Sequence, residues 1–162
     1  MGLFSGIQNK KLSSSRVNDS VGRYWQRLES VEKLESQSKK PYLKVRKLIV
    51  NTFEGDHPVG TEPSHALFPD RYGYFLLDVK KLIRAALDLT TEQANEMSES
   101  DVEDIVKDKL LNGRTLEVLV TTKDGKDGKT YPVINYLRSI KSEEIKDTLD
   151  VSLQNRFWPE GL

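Results

Sequence analysis

The sequence predicts a mainly β (α+β) fold: a five-stranded barrel with a helical insertion between strands three and four and with flexible termini. The first reason is the order of the patterns, in which three segments of alternating hydrophobicity precede a helical region and two more alternating segments follow it. The second reason is length, because 162 residues suffice for one domain with one core but not comfortably for two.

Three strands are expected in the first part of the chain. In the segment GRYWQRLESVEKLE, residues 22–35, Tyr24 falls on one side and Trp25 on the other, an alternation typical of a strand. A polar turn, SQSKKP, separates it from a second strand at residues 42–52, which becomes apolar on both sides towards its end. After a loop with glycine and proline, residues 64–68 form a short third strand.

The middle of the chain changes to a helical period. Apolar residues between Phe75 and Ala86 recur at helical spacing, which predicts an amphipathic helix. Asn112-Gly113 is a typical end for the last helix of the region. Two capping-box patterns predict further helix starts, and they are Thr90 with Gln93 and Ser100 with Glu103.

A closing hairpin is expected from residues 116–120 and 131–137, joined by the turn KDGKDGK. Pro132 places the last strand at an edge or a bulge. Beyond it, Ile145, Leu149 and Leu153 are spaced like one short amphipathic helix. We therefore expect three regions, which are a flexible arm at residues 1–20, a barrel domain at 21–140 and a helical and aromatic extension at 141–162.

Net charge is zero, yet the charges are unevenly distributed. Residues 1–50 hold eleven Lys and Arg against four Asp and Glu, whereas residues 51–111 hold six against thirteen. A neutral protein with this distribution can present one basic face and one acidic face, and the local field is what attracts a polyanion.

Several functional classes are excluded or disfavoured. The chain has no cysteine, so thiolate zinc sites and cysteine nucleophiles are excluded, and a reducing compartment is expected. Two histidines without a supporting cluster predict no metal, and no other cofactor is expected. Catalysis is not expected, because Asp56-His57 and Ser64-His65 are sequence neighbours whose side chains point to opposite sides of an extended segment.

The candidate binding residues are aromatic and basic side chains in two rows. On strand one the row is Arg23, Trp25 and Arg27, and on strand two it is Tyr42, Lys44 and Arg46. If they share a face they form one patch, where rings stack on bases and cations follow phosphates. Either Trp25 or Tyr42 is equally consistent with a packing role. A second, mobile clamp is expected from the hairpin residues Lys123, Lys129 and Tyr131, although plain solvated lysines explain that turn as well.

The chain also resembles phage single-stranded-DNA-binding proteins with an oligonucleotide/oligosaccharide-binding (OB) fold. The resemblance covers residues 22–139 and rests on the order of several short elements: Gly22-Arg23-Tyr24, the Ser/Lys-rich turn, Val59-Gly60, the Ile-Arg-Ala-Ala-Leu helix, Leu111-Asn112-Gly113 and the Val-x-Asn-Tyr strand that ends at Tyr136. The OB-like barrel has the same strand and helix order.

The resemblance implies a non-enzymatic protein that coats single-stranded DNA during phage replication or recombination in the host cytoplasm. It adds Tyr136 to the candidate binding residues. Many such proteins recruit partners through an acidic tail with a final aromatic residue; residues 157–162, FWPEGL, depart from that pattern, so recruitment of that kind is not expected here. Phe157 and Trp158 of the C-terminal extension are therefore candidates for packing on the barrel itself, on a second subunit or on a replication protein. The alternative function is a phage structural or protein-interaction protein that binds other subunits through its arms.

Overall fold

The computed structural model describes residues 18–69 and 75–162. The predicted order of three strands, helices and two strands is confirmed. The strands are β1 Gly22–Glu35, β2 Pro41–Gly55, β3 Ser64–Leu67, β4 Thr115–Asp124 and β5 Thr130–Ser139. The helices are α1 Phe75–Ala86, α2 Thr91–Asn95, α3 Glu99–Lys107, α4 Ser142–Thr148 and α5 Val151–Phe157. Most of the predicted N-terminal arm lies outside the described residues.

The strands form one antiparallel sheet in the order β3-β2-β1-β4-β5. β1 is central and pairs with both β2 and β4. Pro132 stands on the edge strand β5. A proline, which has no backbone N–H to donate, is tolerated on an edge strand because one side of that strand is not paired in the sheet. Within residues 18–69 and 75–162 no hydrogen-bonded pairing joins β3 to β5, so the sheet is open and the predicted barrel is not confirmed.

One face of the sheet, which we call the inner face, carries the larger core. Tyr24 and Leu28 of β1 lie beside Val45 and Ile49 of β2, all with 1% exposure or less. Helix α1 packs on this face through Leu82, Ile83 and other apolar residues at the spacing predicted. This core accounts for most of the apolar burial that stabilises the fold.

Within residues 18–69 and 75–162, the opposite, outer face is covered along one half only. There Trp25 of β1 and Leu48 and Val50 of β2 form a second core with residues of the C-terminal helices. Those helical residues are Ile145, Leu149 and Phe157. The extension predicted at residues 141–162 is thus packed against the sheet.

Two helix boundaries differ from the prediction. The capping box at Thr90 and Gln93 is confirmed, but α3 begins from Ser98 with Asp101, two residues before the predicted Ser100 pair. The earlier start places Glu99 and Asp101 in the first turn, where acidic side chains favour the helix dipole. The C-terminal segment forms two helices because Leu149 is extended and Asp150 caps a new start.

A buried ion pair fixes the segment before β1 to the inner face. Lys47 Nζ lies 2.6 Å from Asp19 Oδ1, and the two side chains are 0% and 1% exposed. Gln26 Nε2 donates to the same carboxylate oxygen over 3.4 Å. Asp19 was predicted to belong to the flexible arm, and that boundary is wrong for this residue because its carboxylate is needed to pair the buried ammonium.

Removing one partner of this pair should be more damaging than removing both. Asp19→Asn or Lys47→Met alone leaves an unpaired buried charge, so each should lower the free energy of unfolding by about 3–5 kcal/mol. The double variant should recover most of that loss, as judged from urea midpoints and slopes. Lys33→Met, at an exposed ion pair with Glu103, should cost at most about 1 kcal/mol. Additive losses in the double variant would contradict this account.

Candidate nucleic-acid interface

The uncovered half of the outer face carries a stacked aromatic pair. The rings of Tyr42 on β2 and of Phe68, which directly follows β3, lie 4.7 Å apart between centroids at an angle of 19°. Both residues are half-buried, so each ring is packed against the other and also reaches the surface. The antiparallel pairing of β2 with β3 produces this contact, since Leu43 and Leu67 are partners in the register.

Two cations extend from this aromatic pair along β2. Lys44 and Arg46 alternate with the buried Leu43 and Val45 and therefore lie on the outer face. Among the described residues neither Lys44 nor Arg46 has an ion pair or a side-chain hydrogen bond. Their positive charge is thus available to an anion from solution.

Trp25 is not available as a stacking surface. The indole is 4% exposed, lies in the second core under the C-terminal helices, and contacts Phe53 edge-on at 5.3 Å between ring centroids. The prediction that Trp25 stacks on a base is therefore corrected: its ring is a packing residue, the alternative that the sequence left open. The outer-face aromatic residue that the strand-one pattern missed is Phe53, which is 36% exposed.

Arg23 and Arg27 are held by partners within the chain. The Arg23 guanidinium lies 4.3 Å from the centre of the Phe53 ring and 3.3 Å from Glu117. Arg27 pairs with Glu29 at 2.7 Å and donates a hydrogen bond to the Phe157 carbonyl, so it closes the end of helix α5. Arg27 therefore joins α5 to the sheet, whereas Arg23 is held by residues of the sheet itself.

The two predicted rows share the outer face but are staggered along it. Trp25 lies opposite Asn51 and Arg27 opposite Leu48, whereas Arg46 lies opposite Ser30. A register shift in β1 between Leu28 and Ser30 separates the two stretches. The rows are thus arranged end to end. Arg27 lies level with Leu48, which is about 7 Å along β2 from Arg46.

The hairpin between β4 and β5 places Lys123, Lys129 and Tyr131 at the surface. The Tyr131 ring is 47% exposed, and its hydroxyl donates a hydrogen bond to Asp127 of the same turn. That bond raises the pKa of Tyr131 and lowers the pKa of Asp127. The hydrogen bond to Asp127 therefore fixes the orientation of the Tyr131 ring.

Tyr136 belongs to the inner core, with 7% exposure. Its ring lies 6.4 Å from the ring of His65, and its hydroxyl is 3.5 Å from His65 Nε2. The prediction that Tyr136 stacks on nucleic acid is therefore corrected, because the ring faces the core. The contact has a different consequence, since it brings the edge strands β3 and β5 together.

His65 joins the buried pair of Asp19 and Lys47. Its Nδ1 lies 3.8 Å from Asp19 Oδ2. Burial and the nearby Lys47 ammonium lower the pKa of His65 to about 3, against the opposing effect of Asp19. Burial also lowers the pKa of Lys47, which Asp19 opposes. Burial alone raises the pKa of Asp19, yet the Lys47 ammonium and His65 hold its net pKa below the ordinary value.

This cluster is a structural feature that the sequence analysis missed. Lys47 and Asp19 are sealed from solvent, so no substrate reaches them in this conformation. The available signal was Lys47, a lysine that directly precedes the apolar run Leu-Ile-Val in β2. A buried lysine requires a carboxylate partner. Within the described residues no group of three or more acidic or histidine side chains is placed to hold a metal ion.

No protein-family model matches the sequence, and a search of curated proteins gives no significant match. Within the part of the chain that the structure describes, no helix combines the length and the apolar content that crossing a membrane requires.

The low pKa of His65 should make the fold less stable in mild acid. Between pH 6.5 and about 3 the unfolded chain binds a proton that the folded chain does not, so stability falls as pH falls through this window. From pH 7 to pH 5 the loss should be up to about 2 kcal/mol. Urea titrations at both values measure it.

His65→Gln should flatten this dependence on pH, and His57→Gln serves as the matched control. His57 contacts the Asn18 carbonyl and lies outside the buried cluster, so its variant should keep the loss in mild acid. An unchanged slope in the His65 variant would show that another group is responsible.

Proposed function

We propose that this protein binds single-stranded nucleic acid, most naturally DNA, on the uncovered half of the outer face. The observation that supports this best is the stacked pair of Tyr42 and Phe68 beside two cations, Lys44 and Arg46, that have no partner among the described residues. Exposed rings that accept bases and cations that neutralise phosphates are the two elements of sequence-tolerant binding to unpaired strands.

The arrangement suits a strand that runs along β2. A base stacks against the aromatic pair, while the two cations, about 7 Å apart on one side of the strand, contact the backbone. Glu32 lies opposite Lys44 in the register and opposes the binding of a polyanion at this point. The lysines and Tyr131 of the β4–β5 hairpin remain candidates for a second contact.

The OB-like barrel is part of the same proposal. The order β3-β2-β1-β4-β5 is that of a five-stranded barrel opened between β3 and β5, and the contact of His65 with Tyr136 supports their approach. Such barrels bind oligonucleotides across the face of strands two and three, where Tyr42, Lys44 and Phe68 lie here.

The biological role we propose is the coating of unpaired DNA, without catalysis, in phage replication or recombination in the host cytoplasm. The support is the sequence resemblance together with the half-buried aromatic pair and the two cations beside it. The alternative is a phage structural or protein-interaction protein that binds other subunits through its arms. Of the C-terminal aromatic residues, Phe157 is 7% exposed and packs in its own chain, and most of the N-terminal arm lies outside the described residues.

Affinity should depend on the uncovered half of the outer face. Tyr42→Ala should weaken binding to oligo(dT) by about 1–3 kcal/mol, since a stacking surface is lost. The double variant Lys44→Gln/Arg46→Gln should reduce the salt slope by about 1.4, at about 0.7 per phosphate contact. Fluorescence anisotropy across a salt series measures both.

The matched control is Lys80→Gln/Lys81→Gln, which removes the same charge from helix α1, on the inner-face side of the sheet. It should leave the salt slope unchanged. Double-stranded DNA of equal length should bind more weakly than oligo(dT). If the unmodified protein shows no saturable binding to oligo(dT) at moderate salt, the proposed function is wrong.

Glu32→Gln should strengthen binding. The change keeps the size of the side chain and removes a carboxylate that lies opposite Lys44 in the register of β1 with β2. Affinity should rise about two- to five-fold, because the carboxylate is exposed and its repulsion is screened by water. Glu103→Gln on α3, the exposed partner of Lys33, is the control and should change nothing. Equal effects of both would point to net charge alone.

A further inference from the structure

A pocket lies beyond the covered half of the outer face, where the end of α1, the start of β4 and the turn after α5 meet. Its volume is about 350 Å³, at the lower end of the range of about 300–1,000 Å³ for ligand sites. Its lining includes the apolar residues Trp158, Ile140 and Ile145. It also includes the cations Arg114 and Lys141.

The pocket thus combines an aromatic ring with positive charge. Trp158 is half-buried, so part of its ring is exposed to the space. Arg114 is exposed, and its Nε donates to the Leu110 carbonyl over 3.3 Å, which orients the guanidinium without neutralising it. Ser139 also lines the pocket, and among the described residues its hydroxyl has no hydrogen-bond partner. A flat, anionic ligand would stack on the ring and pair with the cations.

The pocket is connected to the proposed binding surface through Arg27. The Arg27 guanidinium lies 5.4 Å from the centre of the Trp158 ring. Arg27 is the register partner of both Leu48 on β2 and Thr115 on β4, and Thr115 lines the pocket. Arg46 is two residues from Leu48 on the same face, about 7 Å away. Cations therefore follow one another from Tyr42 towards Trp158, although Glu29 pairs with Arg27 and Glu32 lies opposite Lys44.

We propose that this pocket is a nucleotide subsite, which takes one base against Trp158 and its phosphate on Arg114 and Lys141. The proposal rests on the proposed function, because it makes the pocket the end of the path that an unpaired strand follows from Tyr42. It also assigns a role to Asp88: its carboxylate lies 3.3 Å from Lys141 Nζ and competes with the phosphate for that cation.

The probe is thymidine monophosphate, and the signal is tryptophan fluorescence. The chain has two tryptophans, Trp25 and Trp158, and Trp25 is sealed in the second core. Quenching by the nucleotide should therefore report on Trp158 and be lost in Trp158→Phe, which keeps a ring in the core. Thymidine, without the phosphate, should quench more weakly.

The charge variants separate the contributions. Arg114→Gln should lower the affinity for thymidine monophosphate about ten-fold or more, because one charge-assisted contact is lost. Asp88→Asn should strengthen it a few-fold, because Lys141 is freed; Asn tolerates the positive φ of 54° at this position. Arg84→Gln, an arginine of α1 bonded to Thr91, is the matched control and should have no effect.

Oligo(dT) titrations distinguish the two proposals. If both proposals hold, Lys44→Gln/Arg46→Gln weakens the binding of oligo(dT) and leaves the binding of the mononucleotide unchanged. Arg114→Gln then weakens the binding of both ligands. Oligo(dT) binding that leaves Trp158 unquenched and is insensitive to Arg114→Gln overturns the subsite and leaves the proposed function standing. Mononucleotide quenching without saturable oligo(dT) binding would instead overturn the proposed function and support the pocket as a nucleotide site.

Discussion

The packing of the C-terminal helices on one half of the sheet decides which side chains of this protein can meet a ligand. Helices α4 and α5 bury Trp25, Leu48 and Val50 in a second core, and Arg27 attaches the end of α5 to β1. The other half of the same face retains Tyr42, Lys44 and Arg46 at the surface. The binding surface is therefore what remains of the sheet after the second core has formed.

A polar cluster on the inner face has a similar organising role for the edges of the sheet. Asp19 connects the segment before β1 to Lys47 of β2, and His65 of β3 reaches Tyr136 of β5. Such a cluster stabilises little by itself, because desolvation offsets most of the attraction between its charges. Its effect is on specificity, since any rearrangement that separates β2 from the segment before β1 would leave a buried charge without its partner.

Much of the fold was predictable from local patterns. Alternation located all five strands, and Asp-Gly steps and a proline identified the final hairpin and its edge position. The open state of the sheet was not predictable, because closure depends on the distance between strands that lie far apart in sequence. The segment SESDVED offers two overlapping helix starts, at Ser98 with Asp101 and at Ser100 with Glu103, and α3 uses the first of them.

The candidate site was predictable only in part, for a related reason. Trp25 and Tyr42 have the same local pattern, an aromatic residue between cations on a strand, and their burial differs because residues more than 100 positions after Trp25 cover one and not the other. Phe68 was placed in a strand but not recognised as the stacking partner of Tyr42, since that contact depends on the register of β2 with β3.

The most direct test is ultraviolet cross-linking of oligo(dT) to the protein, followed by mass spectrometry of the linked peptides. Photochemical cross-links form where a base lies against an aromatic side chain, so the map reports the stacking surface itself. Links at Tyr42 and Phe68, with none at the sealed Trp25, are the result that this structure predicts. Links confined to the outer surfaces of α1 and α3 would contradict it.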